Sequence, residues 1–148
     1  MLTNVLPSDR VTVADVIDPD AYSTGTQTTG WINMEDFHAI LAIVMAGTLG
    51  TSATIDAKLE QAQDGSGTGA KDVSGKAITQ LTQAGPDESD KQALINCYQR
   101  DLDIANGFTH VRLSLTVGTA SSDAAGLVVG VDARYKPGTQ DAAVAETV

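Results

Sequence analysis

Cysteine, aromatic residues and cations are all scarce in this sequence of 148 residues. The single cysteine, Cys97, excludes an intrachain disulfide framework and a multi-cysteine metal site. Aromatic residues make up only 4%, so a core must consist mainly of Ala, Val, Leu and Ile side chains. The 9 Lys and Arg residues stand against 19 Asp and Glu residues, which gives a net charge of −10. Because such an acidic surface repels phosphate backbones, we expect no nucleic-acid partner.

Long hydrophobic runs and a secretory signal are also missing. The longest apolar run, from Ala39 to Gly47, has about half the length that a bilayer-spanning helix needs. Residues 1–13 show no basic start followed by an apolar stretch, so we expect neither a signal peptide nor a membrane partner. Apolar residues make up 42% and charged residues 19%, which is enough for a packed core. The length suits one domain.

Alternation of apolar and polar residues predicts about seven or eight short strands separated by Gly, Ser, Thr and Asp turns. The pattern is clearest at residues 54–60 and 109–117, where every second side chain is apolar. The dipeptide Asn106-Gly107 is a strong turn signal, because both residues tolerate a positive φ. The sequence therefore predicts an all-β fold, an antiparallel β-sandwich of jelly-roll type with an extended N-terminal arm.

Two segments leave alternatives open. The run Phe37–Gly47 has apolar residues at helical spacing, but its β-branched residues and flanking glycines also suit a central strand buried on both faces. We favour the strand, because the rest of the chain has strand periodicity. Residues 91–99 are partly apolar on both sides of a strand, which indicates either an interior strand or a contact surface.

The chain divides into three predicted parts. Residues 1–29 form an N-terminal arm or edge segment, residues 30–136 the sandwich domain, and residues 137–148 a flexible, Ala-rich tail. The polar stretch after Tyr22 is long enough to pack on a neighbouring molecule, but a terminus lying on its own domain is an equal alternative.

The predicted core contains apolar residues from the strands together with aromatic plugs at the ends of the sandwich. These residues are Trp31, Phe37, Leu41, Ile43, Ile55, Leu59, Ile95, Phe108, Val111, Leu113, Leu115 and Val129.

Phosphate and metal sites have weak support in the sequence. Gly75-Lys76 lacks the upstream glycine and the downstream hydroxyl residue of a phosphate-binding loop, and the glycines of residues 65–69 have the wrong spacing for a dinucleotide fingerprint. Acidic loop residues could supply oxygen ligands to calcium, but none follows the spacing of an EF-hand. We interpret them as solvated turn residues; they are Asp64, Asp72, Asp87, Glu88 and Asp90.

Catalytic pairs are equally poorly supported. Cys97 could in principle pair with His38 or His110, but a buried, inert thiol is the more common situation. Asp101 and Asp103 share one side of a short segment, as the two carboxylates of a hydrolase do, yet few aromatic residues are present to form a sugar platform. We therefore predict no catalytic, cofactor-binding or metal-binding residue, and no enzyme activity.

Several stretches of the sequence resemble a family of small virion proteins of tailed bacteriophages, found among head-module genes. The stretches are Gly30–Phe37, Gly47–Lys58, Gln61–Val73, Ala77–Thr82, Asn106–Leu113 and Thr116–Thr119. The similarity extends over about Gly30 to Tyr135 and implies no catalytic residues.

The resemblance implies a structural role in the virion. We expect a capsid decoration (cement) protein on the capsid surface, a homotrimer that binds the major capsid protein and stabilises the head. Avidity would strengthen many weak contacts in a shell of many copies. Two alternatives stay open: a tail or neck subunit such as a tube, stopper or terminator protein, and a carbohydrate-binding module of a head fibre.

Overall fold

The computed structural model describes residues 5–135 and 137–148. Its elements are α1 (Pro7–Arg10), β1 (Val11–Tyr22), β2 (Gly25–Thr28), β3 (Ile32–Asn33), β4 (Phe37–Ala46), β5 (Thr54–Ala62), β6 (Lys71–Ala77), β7 (Leu81–Thr82), β8 (Gln92–Tyr98), β9 (His110–Gly118) and β10 (Ser122–Ala133). Two short 3₁₀ turns, Gln99–Asp101 and Ile104–Asn106, connect β8 to β9. Within the described residues, no helix has the length and hydrophobicity required to cross a membrane.

The strands form two antiparallel sheets that pack face to face. The first sheet has the order β1-β10-β4-β8, and the second has the order β2-β9-β5-β6, with β3 also paired to β9 and β7 to β5. Strands that are adjacent in a sheet are mostly far apart in sequence, because the described part of the chain changes sheets at six of its nine strand-to-strand connections. This is the double Greek-key topology of a jelly roll, so the predicted fold class is confirmed.

The apolar run that starts at Phe37 is strand β4, which lies between β10 and β8. The strand alternative is therefore confirmed over the helix. Residues 91–99 contribute β8, which is an edge strand of the first sheet and not an interior one. Residues 76–82 contain the end of β6 and the separate strand β7, because Ile78 and Leu81 cannot both face the core within one regular strand.

The N-terminal segment is part of the sandwich, which corrects the prediction of an extended arm. β1 pairs with β10 along most of its length, from Val11–Val131 to Tyr22–Ser122, and β2 pairs with β9. Both are edge strands of their sheets, as the alternative interpretation of an edge segment required. Residues 1–4 lie outside the described residues. The predicted boundary at 29/30 therefore does not separate an arm from a domain.

Part of the predicted flexible tail is hydrogen-bonded to the first strand. The Val13 amide donates to the side chain of Gln140 at 2.8 Å, and the Asp141 amide donates to the Val13 carbonyl at 2.8 Å. The predicted start of the tail follows Lys136, which is not described. These bonds occupy backbone groups of an edge strand that would otherwise be open to pairing with another chain.

The core lies between the sheets and consists mainly of aliphatic side chains. Eight residues of the predicted core belong to the buried cluster: Phe37, Ile55, Leu59, Ile95, Phe108, Val111, Leu113 and Leu115. The other four are placed differently. Trp31, Leu41 and Ile43 are only half-buried, and Val129 is buried outside that cluster.

The correction at Leu41 and Ile43 has a simple geometric cause. Successive side chains of a strand point to opposite faces, and β4 is apolar on both. Its inward residues are Ile40, Ala42 and Val44, so Leu41 and Ile43 face outward. Because both sets of alternate side chains in β4 are apolar, the sequence could not show which of the two sets faces the second sheet.

Candidate interaction surfaces

Cys97 lies on the inward side of β8 and is fully buried. Burial raises the pKa of its thiol from 9.0 to about 12, with a further contribution from nearby Asp101. A nucleophilic cysteine needs the opposite shift, towards the thiolate. His38 is exposed at the start of β4, and the Nδ1 atom of His110 is 2.8 Å from the Thr109 hydroxyl. The environment of Cys97 is that of an inert core thiol.

Asp101 and Asp103 are bound to different lysines of β6. The Asp101 carboxylate is 3.0 Å from Lys76 Nζ and accepts a hydrogen bond from the Tyr98 amide at 2.8 Å. The Asp103 carboxylate is 2.5 Å from Lys71 Nζ. These contacts attach the turns after β8 to the edge of the second sheet.

The pKa values of these two carboxyls are shifted in the wrong direction for a general acid. Burial alone would raise the pKa of Asp101, but hydrogen bonds from the Tyr98 amide and Lys76 hold it below its usual value. Hydrogen bonds from Lys71 and Asn106 lower the pKa of Asp103. A hydrolase needs one carboxyl of its pair to have a raised pKa, so this pair has a structural role.

The acidic loop residues considered for calcium have partners within the protein. Asp64 accepts hydrogen bonds from Ser66 and Thr68, which lower the pKa of its carboxyl and hold the glycine-rich loop. Asp72 pairs with Lys58, and Glu88 accepts a bond from the Thr82 amide. The Asp87 carboxylate accepts a hydrogen bond from the Ser89 hydroxyl, and the Asp90 amide donates to the Gly47 carbonyl. Within the described residues, no three His, Cys, Asp or Glu side chains are grouped closely enough to hold a metal ion.

Trp31 is packed between an arginine and a glycine. The Arg112 guanidinium lies 4.5 Å from the ring centroid, and Gly67 is so close that a Cβ there would be 2.8 Å from Trp31 Nε1. The ring is therefore covered by the protein itself and is neither a core plug nor an open platform for a sugar.

The outer side of the second sheet, here called the charged face, is polar. It presents Asp56, Lys58, Glu60, Asp72 and Arg112 between hydroxyl residues. Lys58 is 2.6 Å from Asp72, and Arg112 is 2.7 Å from Glu60. The charges are largely paired with one another, which is typical of a surface in contact with water.

The outer side of the first sheet, here called the apolar face, has a different character. Its apolar side chains come from all four strands, and β8 adds the polar residues Gln92 and Asn96. The apolar residues are Val13, Leu41, Ile43, Met45, Leu94, Ala125, Leu127, Val129 and Val131. Leu94 is 61% and Met45 37% exposed. The sequence pattern indicated a possible contact surface at residues 91–99, and Leu94 and Tyr98 are its large apolar residues that are exposed. The apolar outer side of β4 agrees with its prediction as a strand buried on both faces, whereas that of β10 was not predicted.

A groove of about 780 Å³ opens at one corner of the apolar face. Its walls come from β1, β10 and the end of β4, with Ala143 of the tail beside them. Apolar residues such as Val16, Met45 and Leu127 line it, and Asp18, Asp20 and Asp123 are also among its lining residues. Leu127 and Met45 also belong to the apolar face, so groove and face are continuous.

Comparisons with known proteins give distant similarities only. No family model and no curated protein matches the chain. A chain from infectious bursal disease virus, Gt strain, is 14% identical with a TM-score of 0.42 over 88% of this chain and 34% of its own length. A chain from Broad Bean Stain Virus is 14% identical with a TM-score of 0.40 over 83% of this chain and 67% of its own.

The arabinosyltransferase EmbB from Mycobacterium smegmatis is similar at a comparable level, with 18% identity and a TM-score of 0.35 over 87% of this chain and 13% of its own. The chain spans about a third of the length of the bursal disease virus chain. These similarities are too distant to indicate a function.

Proposed function

We propose that this protein is a structural component of a tailed-bacteriophage head, a decoration (cement) protein that binds the major capsid protein on the capsid surface and stabilises the shell. The proposal rests on the sequence resemblance to small virion proteins and on the surfaces of the molecule. The jelly roll alone does not select it, because the same fold also serves lectins and cupins.

The observation that favours a role in an assembly of several protein molecules is the apolar face. An antiparallel sheet normally exposes a polar outer side, as the charged face does here. Leu41, Ile43 and Leu94 instead form part of an apolar outer side that extends over four strands. Extended apolar surface of this kind marks contact with other protein molecules. A protein that is part of an assembly uses such a surface to contact neighbouring molecules.

For the contact with the shell, we favour the side of the sandwich where β1 and β2 lie. Both are edge strands, and Gly25, Thr26 and Thr28 of β2 are exposed. An exposed edge can offer backbone hydrogen bonds to a neighbouring chain. Weak contacts of this type are sufficient when many copies bind to one particle.

The test is binding of the purified protein to phage heads that lack it. We expect saturable binding and a higher temperature of head disruption. Thr28→Glu places a charge at the β2 edge and should reduce occupancy at least about fivefold, equivalent to about 1 kcal/mol. Ser74→Glu is the matched control, because Ser74 is exposed on β6 at the opposite edge of the same sheet and should bind as the natural protein does.

Absence of binding to heads, together with binding to tails or necks, would overturn the proposal in favour of a tail or neck subunit. Equal loss of occupancy in the two variants would instead contradict the assignment of the β2 edge.

A further inference from the structure

The sheet β1-β10-β4-β8 is apolar on both sides in its two central strands. In β4 the inward Ile40 and Val44 alternate with the outward Leu41 and Ile43, and β10 has the same character. Strands of this composition are typical of sheets that are buried on both faces. The second sheet covers the inner side. The outer side therefore has the composition of a surface that another layer of protein covers.

The apolar face by itself is at the upper end of the patch sizes found on monomers and smaller than one side of a standard interface. Four strands at about 4.8 Å spacing and a strand of 10 residues at about 3.3 Å per residue give a face of roughly 600 Å². The largest apolar patch of a typical monomer is about 300–600 Å², and a standard interface covers about 800 Å² on each partner. With its surrounding polar residues, the face is large enough for a stable dimer.

Two opposite corners of the face are complementary in shape and charge. At the corner formed by the end of β8, Tyr98 is 47% exposed, and the Arg100 guanidinium lies 4.4 Å from its ring centroid. At the diagonally opposite corner, the residues that line the groove include Asp18, Asp20 and Asp123. Arg100 forms no ion pair with any residue in the described part of the chain. The corner at the end of β8 thus offers an aromatic ring and a guanidinium group, and the opposite corner offers a groove with aspartate residues.

We propose that two copies of this chain pair through their apolar faces, with Tyr98 and Arg100 of each copy placed in the groove of the other. A twofold axis in the plane of the interface, perpendicular to the line that joins the two corners, superposes each corner on its complement. On a face of about 19 Å by 33 Å, the strands of the two copies then cross at about 60°. Such a contact is isologous and closes as a dimer.

A second copy fits this face better than an unrelated partner because the chain itself supplies both complements. A protein with a net charge of −10 can associate with itself only where like charges are kept apart. The centre of the face, at Leu41, Ile43 and Val129, is uncharged, and each acidic corner receives an arginine. Buried Tyr and Arg residues are also the side chains that dominate interface energies.

This inference does not depend on the proposed function, since a dimer could serve in a capsid, a tail or elsewhere. It competes with the homotrimer that the sequence resemblance implies. A threefold contact would join two different patches, whereas the two corners described here complement each other within one patch.

The test measures the mass of the purified full-length protein by light scattering and sedimentation over a range of concentrations. We expect a reversible dimer. Leu94→Asp, which places a charge on the exposed edge of the apolar face, should raise the dimer Kd at least about tenfold. Ile104→Asp is the matched control, because Ile104 is 52% exposed in the 3₁₀ turn after β8, outside the apolar face, and its variant should dimerise normally.

A charge swap tests the pairing of the corners. Arg100→Glu should weaken the dimer, and adding Asp20→Lys to the same chain should restore most of the lost affinity. A monomer up to about 100 µM, a trimer, or a dimer that tolerates both Leu94→Asp and Arg100→Glu would overturn the proposal. So would a free monomer whose apolar face binds only the major capsid protein.

Discussion

Cys97 and the two aspartates after β8 show how position decides the chemistry of a side chain. The same thiol could be a nucleophile beside a base, and the same carboxylates could be a catalytic pair. Burial instead raises the pKa of Cys97 to about 12, and Lys71 and Lys76 each bind one of the aspartates. These are long-range contacts between strands, so residue spacing alone could not reveal them.

The first prediction concerns the reactivity of Cys97. We expect the native thiol to react with a colorimetric disulfide reagent at pH 8 at least about a thousandfold more slowly than the unfolded protein, because it is buried and protonated. The same protein in denaturant provides the control. A native rate within about tenfold of the unfolded rate would show that the thiol is accessible.

The second prediction concerns Gly67, where a positive φ of 86° and the Trp31 ring coincide. Gly67→Ala should destabilise the protein by about 2–3 kcal/mol, because the new methyl group strains the backbone and displaces the ring. Gly75 has a φ of 72°, and a methyl group added there would meet no atom within 4 Å, so Gly75→Ala should cost only about 1 kcal/mol.

Denaturant unfolding gives both of these values, and the fluorescence of the single tryptophan reports the displacement. Equal destabilisation in the two variants, with unchanged Trp31 fluorescence, would show that the ring is not held by Gly67.

At the scale of elements, strand periodicity predicts most of the fold and fails where both sides of a strand are alike. β5 and β9 alternate cleanly, and their inward residues Ile55 and Leu113 were predicted to be in the core and lie there. β4 is apolar at nearly every outward and inward position, so its orientation depended on the partner sheet. For β1 the sequence predicts only a short strand or turn that ends before Pro19, because this proline and its flanking acids interrupt the pattern. An edge strand tolerates that proline, since it need not donate on its free side.

Strand periodicity also predicts the interaction surfaces of the molecule only in part. The partly apolar outer side of β8 was evident in the sequence, and its contact role remained one of two alternatives. The groove could not be predicted, because it is formed by β1, β4 and β10 together with the irregular pairing of β1 between Ile17 and Asp20. Its residues meet only when the jelly-roll topology brings the first and last strands side by side.

The third prediction concerns the contacts that attach the turns after β8 to β6. The folded state lowers the pKa values of Asp101 and Asp103, so their contribution to stability is present above the ordinary carboxyl pKa of about 3.9. It is lost as the pH falls through the folded-state values. We expect the free energy of unfolding to decrease between about pH 5 and pH 2.

Asp103→Asn and Lys71→Met each remove one member of a pair, so both should make this decrease shallower. Urea unfolding across that pH range is the measurement. Parallel pH dependence in the natural protein and both variants would show that the Lys71–Asp103 pair does not contribute to acid sensitivity.

At the scale of the whole molecule, the two outer faces differ more than those of a sandwich that is solvated on both sides. The charged face carries paired ions such as Arg112–Glu60, and the apolar face carries aliphatic side chains such as Leu41 and Leu94. In the two proposals, the apolar face and the edge strand β2 form the contacts with neighbouring molecules.

The most direct test of a role in the capsid is the number of copies in each phage particle, measured by quantitative mass spectrometry of purified virions. A cement protein of the capsid should be present at on the order of hundreds of copies, in a fixed ratio to the major capsid protein. A count of about six to a few dozen copies, as expected for rings of a neck or tail, or absence from the particle, would contradict that role.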